Sequence, residues 1–456
     1  MSVEISATSS SSMEFKRTSP YPRDWLLNVL RKHENDDRLM QYQELRNSKY
    51  PILKDKALVC APMVDASDLP FRMLCRKYNT NLCFTPMIHA KMFCTKESYR
   101  NKFWHSIHSI QPEDRPLIAQ LCGSDIPSLV YTCNMVAPHV DGIDLNCGCP
   151  QSIAKRGQYG AFLLEKGDLI ANIVHHLVHV AKIPCPISVK VRLLPPPTDD
   201  STDARLESDI SKSLKLYSQL VEAGAAMLTI HGRNRFQKLH WTGRADWNAI
   251  AQVVQLLGPF VPIIANGNIA NLDHVIDCLK QTGADGVMSS EGLVEYPALF
   301  SETNVHATNY NRTGPSRLQL TQEYVDYCQQ YPPELGGQGN GIKCVRAHIF
   351  RFCKQDLENL PHVRDQLTFA TDYETIYSIL SQIQNHQIQS NHSIEQEQLS
   401  WYIRHRLDLK KDDEKKEDQP TTTTTSTISK QEEQEAAECC STFFNHSSNP
   451  DDDGDY

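Results

Sequence analysis

Nowhere in its 456 residues does the chain carry an apolar run approaching the ~20 residues that a membrane helix needs, so no membrane association is expected. The first 17 residues are serine-rich and have no apolar core, which argues against a secretory signal. Cys-x-x-Cys pairs are absent too, and the 15 cysteines make an odd number. Free thiols in a reducing compartment and no bound metal are the expectation. Basic charge is not in excess: the net charge is −9. Residues 411–456 hold four lysines and 13 acidic residues, so they account for all of it, and the first 410 balance at 42 against 42. An overall charge of this kind neither supports nor excludes a nucleic-acid partner, which needs only a local basic face. The loose glycine repeat at 334–343 follows no strand and reads as a connector rather than a phosphate loop.

What is present is a globular composition, 40% hydrophobic and 22% charged, on a chain long enough for a barrel of about 250 residues with additions. Short β-branched runs stand at 57–63, 82–87, 116–122, 142–146, 186–192, 227–233, 262–268 and 286–292. Most are continuously apolar and turn polar or glycine-rich at their C-terminal ends, as buried parallel strands with functional loops above them would. Helical stretches separate them, for example 211–223, closed by Gly224. Eight such units predict a closed (β/α)₈ TIM barrel, with an open doubly wound sheet as the alternative. From about residue 316 the pattern is helical only, over 317–330, 341–359 and 366–386. The expected organisation is a disordered segment 1–20, a helical lead-in 21–54, the barrel 55–312, a small all-helical domain 316–405, and a disordered acidic tail 409–456.

Chemistry-bearing residues gather at the strand ends that face a barrel's active site. The fourth run ends in Asp144-Leu145-Asn146-Cys147-Gly148-Cys149-Pro150. A Cys-x-Cys pair could bind metal, but no second pair follows, and ordinary buried cysteines remain an alternative; the glycine and proline suggest a turn that presents a side chain. Lys190 with Arg192, and His231 with Arg233, close the fifth and sixth runs, facing either a polar ligand or rim salt bridges. Asn266-Gly267-Asn268 and Ser289-Ser290-Glu291-Gly292 close the last two, where barrels commonly receive a phosphate on glycine-freed backbone N–H groups.

The runs Ala61-Pro62-Met63-Val64-Asp65, Leu145 to Pro150, Val189 to Arg192, His231-Gly232-Arg233 and Ala265 to Asn268 resemble the tRNA-dihydrouridine synthases, over roughly residues 55–360. The stretch 149–163 is most similar to the eukaryotic branch that acts on uridines 16 and 17 of the D-loop. The resemblance implies FMN as cofactor and NADPH as reductant, with tRNA as substrate and hydride passing from reduced FMN to uracil C6. It implies that Pro62, Met63 and Val64 line the isoalloxazine, that Gln120 and Lys190 bond its polar edge, and that His231, Asn266, Gly267, Asn268, Ser290 and Glu291 hold the ribityl phosphate. Cys149 would protonate C5; a thiol of pKa ~8.5 is mostly protonated at neutral pH and suits that task. Asn146, Lys155, Arg156, Arg233 and Arg235 at the mouth, and Lys343 and Arg346 on the helical part with His348 and Arg351 beside them, are the candidate tRNA contacts. Three departures stand out: Ser290-Glu291 replaces a common Gly-Arg, Asn234 stands where Thr is usual with Phe236 at a commonly polar position, and the proline-rich stretch 194–200 has no counterpart. A monomer in the cytoplasm or nucleus is expected. The alternatives are an inactive RNA-binding barrel and a flavoenzyme acting on free pyrimidines.

Overall fold

The computed structural model describes residues 16–33, 50–108, 112–196, 207–238, 242–301, 314–333 and 341–390. The expected acidic tail, the glycine-rich connector 334–340 and part of the proline-rich stretch lie outside them. Nine strands are present: β1 Ala57–Cys60, β2 Leu82–Phe84, β3 Ile88–His89, β4 Leu117–Cys122, β5 Gly142–Cys147, β6 Ile187–Arg192, β7 Met227–His231, β8 Ile263–Asn266 and β9 Gly286–Ser289. All pairings are parallel, and β1–β2–β4–β5–β6–β7–β8–β9 closes on itself through β9 and β1. This is the expected (β/α)₈ barrel, with all eight expected strands in place. The one addition is β3, which rejoins β4 after the chain leaves it at Phe84. The register passes from Phe84↔Ile118 to Ile88↔Leu121, so the second barrel strand is interrupted by a bulge.

Alternation along each strand divides the apolar residues into two sets. Leu58, Cys60, Ile143, Leu145, Val189 and Val191 face the surrounding helices. Ala57, Val59, Phe84, Ile118, Met227, Ile264 and Met288 fill the barrel's lower interior with Trp25, Leu26 and Leu30. The helix Trp25–Lys32 therefore plugs the barrel floor, with Trp25 Nε1 donating to the Ala226 carbonyl at 2.8 Å. An aromatic side chain burying ~200 Å² at about 25 cal/mol per Å² contributes at most about 5 kcal/mol. Arg23 fixes this lead-in by donating to Gly258 O and pairing with Asp285, both at 2.7 Å. Residues 16–20, expected to be disordered, are docked as well: Thr18 Oγ1 donates to Glu222 O at 2.5 Å.

The C-terminal helices are Arg317–Gln330, Ile342–Phe352, Lys354–Asn359, Pro361–Phe369 and Tyr373–Gln389. The expected single helix 366–386 is two, because Ala370 is extended and Asp372 starts a new helix by accepting from Thr375 N at 2.8 Å. The first of these helices lies against Leu69–Lys77 of the barrel, where Glu323 accepts from Tyr78 at 2.8 Å and pairs with Lys77 at 3.0 Å. Arg317 pairs with Glu295 at 3.0 Å, with both side chains almost fully buried.

Candidate active site

The same alternation that buries the floor carries polar residues upward on the inner face. Register sets Gln120 beside Asp144 and Asp144 beside Ser188, with Asn146 beside Lys190 one step higher. At the rim Arg192 lies beside His231 and His231 beside Asn266. The upper barrel is thus a ring of hydrogen-bonding side chains over an apolar floor. Asp144 is fully buried and accepts from Ser188 Oγ at 2.7 Å and Gln120 Nε2 at 2.9 Å. Burial pushes its carboxyl up to about 6, against the opposing pull of those donors and of Lys190. Gln120 Oε1 in turn accepts from Asn146 Nδ2 at 2.8 Å.

Asn146 is the hinge between this network and the cysteine turn. Its Oδ1 accepts from the backbone N–H of Gly148 at 3.1 Å and of Cys149 at 3.0 Å, and so folds the chain back over the strand end. Arg192 locks the far side of the turn by donating to Gly148 O at 2.8 Å and Asn234 O at 2.9 Å. Gly160, at φ +69°, lies so close that a Cβ there would come 2.5 Å from the Cys149 carbonyl oxygen. The two thiols are separated by this geometry. Cys147 is 2% exposed and belongs to the outer core, whereas Cys149 is only partly buried at the mouth. Burial raises the Cys149 pKa above its ordinary value, offset in part by the Gln151 backbone and by Arg192, Lys190 and Lys238. It is a protonated thiol at neutral pH.

Across the mouth, Lys190 Nζ donates to Asn266 Oδ1 at 2.9 Å, and Asn266 Nδ2 donates to Met288 O at 2.9 Å. Loss of hydration, with the Arg192 charge adding to it, pulls the Lys190 pKa down to about 8. The turn after β8 has two residues in the left-handed region, Gly267 at φ +110° and Asn268 at φ +63°. A Cβ on Gly267 would come 2.7 Å from that of Ala245, so glycine is required there. Trp247 Nε1 donates to Gly267 O at 3.1 Å. Ser289 Oγ ties the next loop to this one by donating to Ile269 O at 2.7 Å.

Several expected contacts fall elsewhere. Arg233 is 7% exposed, and its guanidinium donates to Gly243 O, to Asn268 Oδ1 at 2.6 Å and to His231 Nε2 at 3.1 Å, so it braces the turn instead of facing solvent. A guanidinium can only donate, so Nε2 of His231 accepts. Asn146 shapes the cysteine turn from within. His348 is fully buried and cannot meet an RNA backbone. Arg235 pairs with Glu165 at 2.6 Å and lies over Phe236. Lys155, Arg156 and Lys343 are exposed, Arg346 less so, with its guanidinium on the Thr368 carbonyl. Val64 is 41% exposed beside partly buried Pro62 and Met63 on the loop after β1, and Ser290 and Glu291 are partly exposed on the loop after β9. Asp144 heads the run named from the sequence but carries no role there, although it stands two residues before Asn146 on the same strand and therefore shares its face.

A closed parallel barrel whose rim gathers a thiol, a lysine and a glycine turn is the scaffold of a barrel enzyme. The family model described as dihydrouridine synthase (Dus) matches residues 59–395, and the chain belongs to this family. It is 36% identical to the Mus musculus protein named tRNA-dihydrouridine(16/17) synthase, NAD(P)(+)-like, over 74% of this chain and 64% of that one. It is 34% identical to the Schizosaccharomyces pombe tRNA-dihydrouridine(16/17) synthase, over 71% of this chain and 77% of that one. A mouse protein named tRNA-dihydrouridine(20a/20b) synthase, NAD(P)+-like, is 35% identical over 53% of this chain and 68% of that one.

Proposed function

We propose that this protein reduces uridine to 5,6-dihydrouridine in tRNA, at D-loop positions 16 and 17, with FMN as its cofactor and NADPH as the reductant. The observation that carries the reading is the turn built on Asn146, which holds the protonated Cys149 at the barrel mouth on the same rim as the Lys190–Asn266 pair. The preference for positions 16 and 17 is supported by the longer match to the 16/17 protein, 74% of the chain against 53%.

The residues present fit a flavin. Lys190 directs one ammonium donor to Asn266 and keeps others for an acceptor in the mouth, and its lowered pKa marks a cation that an electron-rich ring edge would stabilise. Gln120 stands on the same inner face, with Pro62, Met63 and Val64 on the loop after β1. His231, Asn266, Gly267, Asn268, Ser290 and Glu291 surround the place for the ribityl phosphate, where Glu291 supplies no counter-charge and backbone donors must serve. A flavin held there would supply the hydride chemistry that reduction of the uracil C5=C6 bond needs. The work of the chain itself is positional and protonic. Cys149 holds a proton for C5, Asn146 and Arg192 fix its turn, and Lys190 keeps positive charge near the ring's polar edge. The exposed Lys155, Arg156 and Lys343, with the partly exposed Arg346, are the proposed tRNA contacts, since the target base must leave its stack to enter the mouth. The chain is expected to act as a monomer, in the cytoplasm or nucleus; among the described residues no helix is long and apolar enough to cross a membrane.

Mapping dihydrouridine in total tRNA from cells lacking the protein tests the reading. Loss of the base at positions 16 and 17 alone is expected. Unchanged content at both would overturn the assignment.

A further inference from the structure

Among the described residues, several buried polar atoms have no hydrogen-bond partner, and three of them gather in one cluster outside the barrel mouth. His348 is 0% exposed, and among the described residues neither of its ring nitrogens makes a hydrogen bond of ordinary geometry; Nε2 lies 3.8 Å from Asp68 Oδ1, and the Ala66 backbone lies close enough to favour a charged ring. Asp68, 2% exposed, has one carboxylate oxygen in the same condition. It stands at the N-terminal cap of the helix Leu69–Lys77, yet its side chain caps nothing. Its carboxylate instead faces the helix Ile342–Phe352 of the C-terminal part. Each such orphaned atom costs about 1–3 kcal/mol. Leaving three of them among close-packed aromatic rings would be an unusual loss, since Phe71 stacks on His348 at 4.8 Å and Tyr324 lies at 4.6 Å.

Cys344 completes the group. It precedes His348 by one helical turn, so both side chains share a face. The donor atoms of Asp68, Cys344 and His348 all lie within 4.8 Å of one another. His348 Nε2 is 3.8 Å from Asp68 Oδ1, and Cys344 Sγ is 3.7 Å from Asp68 Oδ2. The edges of a tetrahedron drawn with ordinary zinc–ligand bond lengths are about 3.3–3.6 Å, so the two Asp68 separations need up to about half an ångström of closure and the Cys344–His348 pair about one ångström at most. A fourth donor is at hand in the Asp65 carbonyl oxygen, 3.4 Å from Cys344 Sγ, or the Tyr324 hydroxyl, 4.0 Å from it.

We propose that Asp68, Cys344 and His348 bind a structural zinc ion that pins the helical domain to the loop following β1. The ligand set mixes thiolate, imidazole and carboxylate, which suits zinc over the harder magnesium or calcium, and complete burial suits a structural site over a catalytic one. Charge balances on binding: Cys344 releases its proton, and the thiolate and the Asp68 carboxylate together neutralise the divalent ion. The nearby Arg72, paired with Asp114 at 2.8 Å, adds a positive charge that favours the ionised form of Asp68. The expectation of no metal considered only closely spaced cysteines, whereas these ligands come from segments 276 residues apart. The ion would fix the segment running from Val64 to Asp68, and so hold one wall of the barrel mouth. The proposal rests on this cluster alone and not on the proposed reaction.

Elemental analysis of the full chain, purified without chelator or metal-affinity tag, should find one zinc per molecule. After removal of zinc, cobalt(II) should bind with the same stoichiometry and show a thiolate-to-cobalt absorption band. Cys344→Ser should lose that band, while Cys278→Ser, at a buried cysteine on the helix Leu272–Thr282 outside the cluster, should keep both band and ion. The wild-type protein decides even if the Cys344 variant fails to fold. A folded wild type with substoichiometric zinc and no cobalt uptake would overturn the site, as would a Cys344→Ser protein that retains the ion and the band.

Discussion

Lys190 should make the flavin-free protein less stable than it could be, and this can be measured. Its pKa falls from an ordinary 10.5 to about 8, chiefly because its ammonium loses hydration. At ~1.4 kcal/mol per pH unit that difference corresponds to about 3 kcal/mol of destabilisation at pH 7. Lys190→Met removes the partly buried charge but leaves Asn266 Oδ1 without its donor, which takes back about 1 kcal/mol. The variant should therefore be about 2 kcal/mol more stable than the parent at pH 7 when both are free of flavin. The sign reverses the usual lysine case. Here the folded pKa is depressed, so between about pH 8 and 10.5 the unfolded chain binds more protons and parental stability rises with pH. The advantage of Lys190→Met should shrink across that window and reverse to a deficit of about 1 kcal/mol above it, where only the stranded Asn266 oxygen remains. Urea unfolding of both proteins at pH 7, 8, 9 and 10 reads this directly, and the same variant should bind FMN poorly. A variant less stable at pH 7, or a difference that does not change with pH, would refute the reasoning.

Cys149→Ala should still take up FMN and accept reduction by NADPH, but flavin oxidation by tRNA should slow by roughly 10²–10⁴, the usual loss for a general acid. In the parent that step should hold through neutral pH and fall as pH rises through the raised thiol pKa, whereas Cys147→Ala should keep the step and lose about 1 kcal/mol of stability from a small cavity. Replacing Lys343 and Arg346 together by alanine should weaken tRNA binding and flatten its salt dependence, with NADPH oxidation unchanged; an unaltered salt slope in a filter-binding titration would move the RNA surface elsewhere. Removing residues 411–456 takes away a net charge of −9, so tRNA affinity at low salt should rise slightly and turnover should stay within a few-fold; a tenfold loss of turnover would show that the segment takes part.

The barrel was legible because a parallel strand buried on both faces must be apolar along its length, and runs such as 57–63 and 227–233 have no other common explanation. The bulge between Phe84 and Ile88 was not read, although Pro86, which has no N–H to give the ladder, stands in the gap where pairing to β4 lapses. Strand parity could have separated the two thiols from the start. Asp144 and Asn146 share the inner face of β5, so Cys147 must face outward with Ile143 and Leu145, and only Cys149, beyond the strand, is free to reach the mouth. Parity gives no help with long side chains. Arg233 and Arg192 read equally well as ligand contacts or braces, and three-dimensional packing made both into braces. His348 misled for the same reason: a histidine among lysine and arginine on a helix looks like an exposed basic face, but its own position falls on the side packed against Phe71.

The polar ring at the mouth has a consequence for separating catalysis from folding. Asp144, Ser188, Gln120 and Asn146 form one continuous chain of hydrogen bonds, and its last member sets the backbone N–H groups of the cysteine turn. In a fully bonded buried network, removing any member strands its neighbour, at about 1–3 kcal/mol for each group left unmet. A change at Ser188, which lies well below the rim, should therefore reach Cys149 only if it also breaks the bond between Gln120 and Asp144. The conservative change Ser188→Ala leaves Gln120 still bonded to Asp144 Oδ2, so it should cost stability and spare the turn. Gln120→Leu cuts the chain on both sides and should disturb both.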